Sequence, residues 1–180
     1  MELPETLETE RLTLRPLRAS DAGPMSLYAG DRRVAEMLEN VPHPYPPGAA
    51  EAYIERCASG AGDELVWALD ATKIDGAEFL GVISLRPDDE PRVMRVGYWV
   101  GPPFWRTGYA REAAVAVVDA AQRAGVAAIV ARIFAGNEAS AQVLRAAGLA
   151  EVGRGETFGV ASGRLRTDRR FHLAFALAGA

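Results

Sequence analysis

Arg106, Thr107, Gly108, Tyr109 and Ala110 lie within GPPFWRTGYAREAA, residues 101–114, at a junction that could hold phosphate. Before it, VGYWV at 96–100 reads as a buried strand. After it, Ala110, Ala113, Ala114, Val117, Val118 and Ala121 recur at helical spacing, so a helix begins near Gly108. The first N–H groups of a helix have no internal acceptor and attract anions. Glycine lets the backbone approach a ligand, and Arg106 adds a fixed positive charge. Together they predict a pyrophosphate site. A P-loop would need Lys and then Ser or Thr after its last glycine, where this chain has Tyr109-Ala110; a dinucleotide fingerprint needs three spaced glycines, which Gly101 and Gly108 do not supply.

The elements that must position this loop follow from periodicity and punctuation. Arg11 to Leu17 alternates as a strand, Ser20-Asp21 offers a helix cap before Ala22 to Ala29, and a short helix follows around Arg32 to Glu39. The four prolines between Asn40 and Gly48 impose a constrained loop, which leads to a helix over Ala49 to Ala58. Leu65 to Asp70 and Phe79 to Arg86 read as a hairpin turning near Asp75-Gly76, and Val93 to Val100 is the strand that feeds the loop. Helix Tyr109 to Ala124, strand Val126 to Phe134, helix Glu138 to Ala147 and strands near Val152 to Phe158 and Arg164 to Ala176 complete a mixed α/β order. With no repeat or linker, residues 1–180 read as a single domain.

Composition narrows the class. The 180 residues are 49% hydrophobic, ample for one core, and the net charge of −4 argues against a broad nucleic-acid or anionic-membrane surface. No stretch is apolar enough to span a bilayer, and the start, MELPETLETE, is acidic, so a cytoplasmic protein is expected. Cys57 is the sole cysteine and the only histidines are His43 and His172, so neither a disulfide within the chain nor a metal site is expected. Arg154, Arg164, Arg166, Arg169 and Arg170 gather near the end, either as a solvated hairpin face or as a patch for an acidic partner or a phosphate.

The loop, the GYW strand before it and the EA-started helix after it resemble the GNAT superfamily of N-acetyltransferases, and within it the Rim-like subgroup of ribosomal-protein N-terminal acetyltransferases. Supporting segments occur in family order: ETERLTLRPL at 8–17, GVISL at 81–85 and NEASAQVLRAAGL at 137–149. Trp105 departs from the Gln or Arg that opens the family's loop pattern. The resemblance implies a mixed, mostly antiparallel twisted sheet of about six to seven strands, flanked by about four helices. The family's parallel strands 4 and 5, here those ending at Val100 and beginning at Val126, are expected to splay apart.

Acetyl-CoA is the implied cosubstrate, with no metal. Its pantetheine arm would pair with the backbone of Tyr98, Trp99 and Val100 and reach Asn137 and Ser140, while Arg106, Thr107, Gly108, Tyr109 and Ala110 would surround the pyrophosphate. Asn137 also sits where an N-cap belongs, with Gly148 placed to end the same helix; both roles stay open. The implied reaction is direct transfer of an acetyl group to a primary amine in a ternary complex.

Amine acetylation needs a neutral amine, a polarised thioester carbonyl and a proton for the departing thiolate. The Val100 N–H is the expected carbonyl partner. The family's tyrosine acid, seven residues after the asparagine, is replaced by Leu144, which leaves the Ser140 hydroxyl as a proton relay or as a locally bonded first-turn group. A glutamate common two residues before the Gly of GYW is replaced by Arg95, so Glu64, Glu78 or a water chain must serve as base. Tyr28, His43, Tyr45 and Phe158 are the expected acceptor-groove residues. The favoured acceptor is a protein or peptide N-terminal α-amine; a small amine such as a polyamine, aminoglycoside or amino acid is the alternative, as is an acyl-CoA sensor without turnover. Exposed terminal strands would allow a homodimer.

Overall fold

Residues 3–176 are described by a computed structural model. In chain order the elements are β1 (Leu7–Glu8), β2 (Thr13–Arg15), α1 (Ala22–Ala29), α2 (Arg32–Ala35), α3 (Ala49–Ala58), β3 (Leu65–Asp70), β4 (Gly81–Pro87) and β5 (Val93–Val100). They continue with α4 (Tyr109–Arg123), β6 (Ala128–Phe134), α5 (Glu138–Ala146), β7 (Ala150–Gly159) and β8 (Arg164–Ala174). All eight strands join one sheet in the order β1-β2-β3-β4-β5-β6-β8-β7. Every neighbouring pair is antiparallel except β5 and β6.

The fold is the expected mixed α/β one; among the described residues it has the five helices that periodicity predicts, one more than the resemblance implies, and one strand more than expected. The stretch read as a strand over Arg11 to Leu17 keeps only Thr13–Arg15, and the chain before it folds back so that Leu7 pairs Leu14 and Glu8 pairs Thr13. The helix expected over Arg32 to Glu39 stops at Ala35. Of the two terminal strands only β7 is a sheet edge, because β8 lies between β6 and β7.

Period-two alternation divides the sheet's side chains between two layers. Leu69, Ile83, Leu85, Val96 and Ile129 pack against Ala113, Ala114, Val117 and Ala121 of α4 and Ala141 and Leu144 of α5. Their neighbours Ala68 and Val82 face the other way, onto Ala22 and Met25 of α1 and Ala50 and Ile54 of α3. The small residues of α4 let that helix lie close to the sheet.

A buried ion cluster ties the first third of the chain together. Arg15 donates from Nε to Asp70 at 2.7 Å and from both terminal nitrogens to Asp21 at 2.9 and 3.0 Å, and all three residues are at most 5% exposed. Asp21 was expected to cap α1, but its carboxylate makes no such bond and instead accepts from Arg15 and the Arg18 N–H. The pull of a buried guanidinium outweighs that of a helix end.

Candidate active site

The sheet opens where β5 and β6 part. They pair over Val93–Arg95 and Ala128–Val130 only, although β5 continues to Val100 and β6 to Phe134. Beyond that point β6 stays bound to β8 as far as Phe134 opposite Asp168, while β5 stays bound to β4 as far as Val100 opposite Gly81. Each strand follows its own outer partner, and the gap between them widens.

Backbone direction in the gap follows from register. The Gly101 N–H donates to Leu80 O at 2.8 Å, so residues 101, 99 and 97 direct their polar groups to β4. Those of Tyr98 and Val100 point the other way, into the gap. The Val100 carbonyl is taken by the Trp105 indole N–H at 2.7 Å. What remains free along this edge is a row of main-chain groups that includes the Val100 N–H.

The gap continues into a cleft of about 500 Å³ that reaches both sheet faces. Tyr98, Asn137, Ser140 and Leu144 line it on one side, and Trp99, Tyr45, Tyr53, Arg56, Glu64, Arg86, Arg95 and Arg132 on the other. Asn137 caps α5, its side-chain oxygen accepting from the Ser140 N–H at 3.1 Å. Tyr98 donates its hydroxyl to the Ser140 carbonyl at 2.9 Å, and burial pushes its phenol well above the ordinary tyrosine value. That link, between residues far apart in the chain, was not anticipated. It pins the first turn of α5 to β5.

Past β5 the loop turns into α4 through Gly108, the residue just before the helix, at φ +85°. Glycine adopts that geometry at no steric cost. Arg106 is exposed and makes no ion pair among the described residues. Arg11, which sequence reasoning passed over, braces this corner: it donates to Thr107 O at 2.9 Å and to Glu112 at 2.7 Å, and its guanidinium lies 4.6 Å from the Tyr109 ring centre.

The expected acceptor-groove residues divide. Tyr45 lines the cleft; Tyr28, His43 and Phe158 do not. Tyr28 packs edge-on to Phe104 and over Gly101, where an added Cβ would meet its ring at 2.7 Å. His43 Nδ1 bonds the Gly30 carbonyl at 3.1 Å, and Phe158 is exposed on β7. Of the carboxylates, Glu64 lines the cleft, whereas Glu78 pairs with Arg18 at 3.1 Å on the surface. Cys57 is half-buried, and burial together with Glu64 raises its thiol, which keeps it protonated.

The late arginines are mostly engaged. Arg169 binds Glu151 and Glu138, Arg170 binds Asp168, and Arg166 donates to Glu36 O and stacks on Phe134. Internal ion pairing therefore accounts for much of that cluster. Among the described residues no group of His, Cys, Asp or Glu could hold a metal, and no helix is long and apolar enough to cross a membrane.

No curated protein matches the chain. Solved structures do resemble it in fold. RimJ of Mycobacterium smegmatis, in complex with CoA-disulfide, is similar with a TM-score of 0.79 and 20% identity over 95% of this chain and 88% of that one. Ribosomal-protein-S5-alanine acetyltransferase of Vibrio fischeri gives 0.74 and 19% over 94% and 96%. Spermidine N-acetyltransferase of Vibrio cholerae, with CoA and spermine, gives 0.75 and 16% over 91% and 95%. Residues 11–150 match the family described as acetyltransferase (GNAT) domain. With most of its length matched, the chain belongs to the GNAT family and is an N-acetyltransferase.

Proposed function

We propose that residues 1–180 form one catalytic domain that acetylates a protein or peptide N-terminal α-amine with acetyl-CoA, in the manner of the Rim-like subgroup. The observation that carries this reading is the parted β5–β6 pair, with the Val100 N–H turned into the gap and an anion-attracting helix start beyond it. An extended pantetheine arm fits such an edge as a substitute strand, along Tyr98, Trp99 and Val100 and past Asn137. Arg106, Thr107, Gly108, Tyr109 and Ala110 would surround the pyrophosphate.

Acetyl-CoA, when bound, supplies the activated acyl carbon. The Val100 N–H donates to the thioester carbonyl oxygen. The amine nitrogen forms the amide bond as the carbon–sulfur bond breaks; its proton leaves through Glu64 or water, and a proton reaches sulfur through the Ser140 hydroxyl. Cys57, protonated and unactivated, takes no part, in keeping with direct transfer. A peptide α-amine, with pKa about 7.7–8.0 against about 10.4 for lysine, is partly neutral at pH 7 and suits a site with a weak base.

Calorimetric titration with acetyl-CoA, followed by thiol release against N-terminal peptides, polyamines, amino acids and aminoglycosides, tests this reading. Turnover confined to N-terminal peptides supports it; turnover confined to polyamines, amino acids or aminoglycosides refutes the acceptor, and absence of acetyl-CoA binding refutes the cofactor.

A further inference from the structure

The acceptor half of the cleft has an arginine floor. Arg86 of β4 stands directly opposite Arg95 of β5 on one face of the sheet, and Arg132 of β6 stands directly opposite Arg170 of β8. Arg95 pairs with Val130, two residues before Arg132, so both arginine pairs share that face. Like charges placed opposite one another destabilise a sheet. The chain compensates three of the four: Glu39 lies 3.5 Å from Arg86, Asp88 2.6 Å from Arg95 and Asp168 3.2 Å from Arg170. Arg132 has no carboxylate within ion-pair distance among the described residues.

A second observation concerns Arg95. Its side chain is only 14% exposed, and its buried Nε–H has no hydrogen-bond partner. A buried donor of a charged group left unpaired is costly. Arg56 lines the same half of the cleft, and its guanidinium, 5.0 Å from the Tyr53 ring, makes no ion pair among the described residues. Among the described residues, Glu39 and Glu64 are the only carboxylates lining the cleft, against four arginines. Such a floor repels a polycation and attracts an anion.

We infer that the amine acceptor carries a carboxylate close to its amine, and that Arg132, on the cleft face beside Arg95, holds it. The inference rests on the acetyl-CoA-dependent chemistry above but not on its peptide acceptor. The carboxylate is either the α-carboxylate of a free amino acid or the side chain of an acidic residue following a peptide's first residue. Both present a planar anion to a guanidinium.

The enzyme–CoA complex, in which no transfer occurs, is titrated with seryl-aspartyl-alanine amide, seryl-asparaginyl-alanine amide and seryl-lysyl-alanine amide, and with serine against serinamide. The aspartyl peptide or free serine should bind about 10-fold or more tightly than its uncharged counterpart, as a charge-assisted contact implies; which of the two shows the preference identifies the carboxylate's source. Arg132→Gln should abolish that preference, leave CoA affinity unchanged and not lower the melting temperature, since it relieves the repulsion from Arg170; Arg132→Lys should restore part of the preference. Equal binding of charged and uncharged probes, or preference for the lysyl peptide, overturns the inference while leaving the acetyltransferase reading intact. Failure of CoA itself to bind overturns the reading on which both depend.

Discussion

The Trp105 indole nitrogen donates to the Val100 carbonyl oxygen at 2.7 Å, joining the loop before α4 to the last residue of the parted strand. The one position at which this loop departs from the family pattern thus has a mechanical role. It fixes the Val100–Gly101 peptide, whose Gly101 N–H is bound to Leu80 O, and so anchors the end of the strand on which the Val100 N–H faces the gap. Trp105→Phe keeps the ring and removes the donor, and is expected to weaken acetyl-CoA by roughly 5-fold, about 1 kcal/mol for one hydrogen bond. Calorimetry on the folded variant checks this; wild-type affinity would show that the bond does not orient the site.

Gly108→Glu should cost CoA affinity on the order of 10³-fold, since it places negative charge where pyrophosphate would rest. The position is already selective, because φ is +85° and an added Cβ lies 3.3 Å from Arg11 Nη2. Gly108→Ala separates the two effects: it carries the backbone strain without the charge and should lose far less affinity. Equal losses in both variants would leave strain, not phosphate, as the explanation.

Ser140→Ala tests proton delivery. A relaying hydroxyl predicts kcat lowered about 10- to 100-fold with KM for acetyl-CoA nearly constant. The α5 cap is unaffected, because Asn137 accepts from the Ser140 backbone N–H and not its hydroxyl. Unchanged kcat would remove Ser140 from the chemistry and leave water or direct thiolate departure.

Stability should fall in acid through Asp70. Burial works to raise its carboxyl, but Thr72 and Arg15 hydrogen bonds more than offset this and hold it below the ordinary value of 3.8. A carboxyl lowered by folding contributes stability above its unfolded pKa and loses it as pH falls through the folded value. Melting temperature should therefore drop steeply below about pH 4. Asp70→Asn should cost about 3 kcal/mol at pH 7, the scale for breaking a buried pair, with the gap to wild type narrowing as pH falls below about 4. A constant gap from pH 7 to pH 2 would show that ionisation of Asp70 is not what matters.

Local pattern alone determined much of the architecture. The helix over Ala49–Ala58 and the strands Leu65–Asp70 and Val93–Val100 have the boundaries that their periodicity and flanking Gly, Pro and Asp residues dictate. The strand–loop–helix setting of the proposed phosphate site was legible for the same reason: a strand, a glycine and an amphipathic helix are consecutive in the chain, and each carries its own signal. So was the Asn137 cap, which joins residues three apart. Tertiary structure alone decided what joins distant residues. Arg15 meets Asp70 across 55 residues, Tyr98 meets Ser140 across 42, and Arg11 meets Thr107 across 96. Nothing in the neighbourhood of Asp21 marks it as an arginine partner instead of a cap. Nor does Tyr28, His43 or Phe158 show locally that it would lie off the cleft while Tyr45 faces it. The arginine floor is the clearest case. Arg86, Arg95 and Arg132 are scattered singly along three strands, and only the register of β4 on β5, with β6 alongside, sets them on one face, because side-chain direction in a sheet is fixed by pairing and not by sequence position.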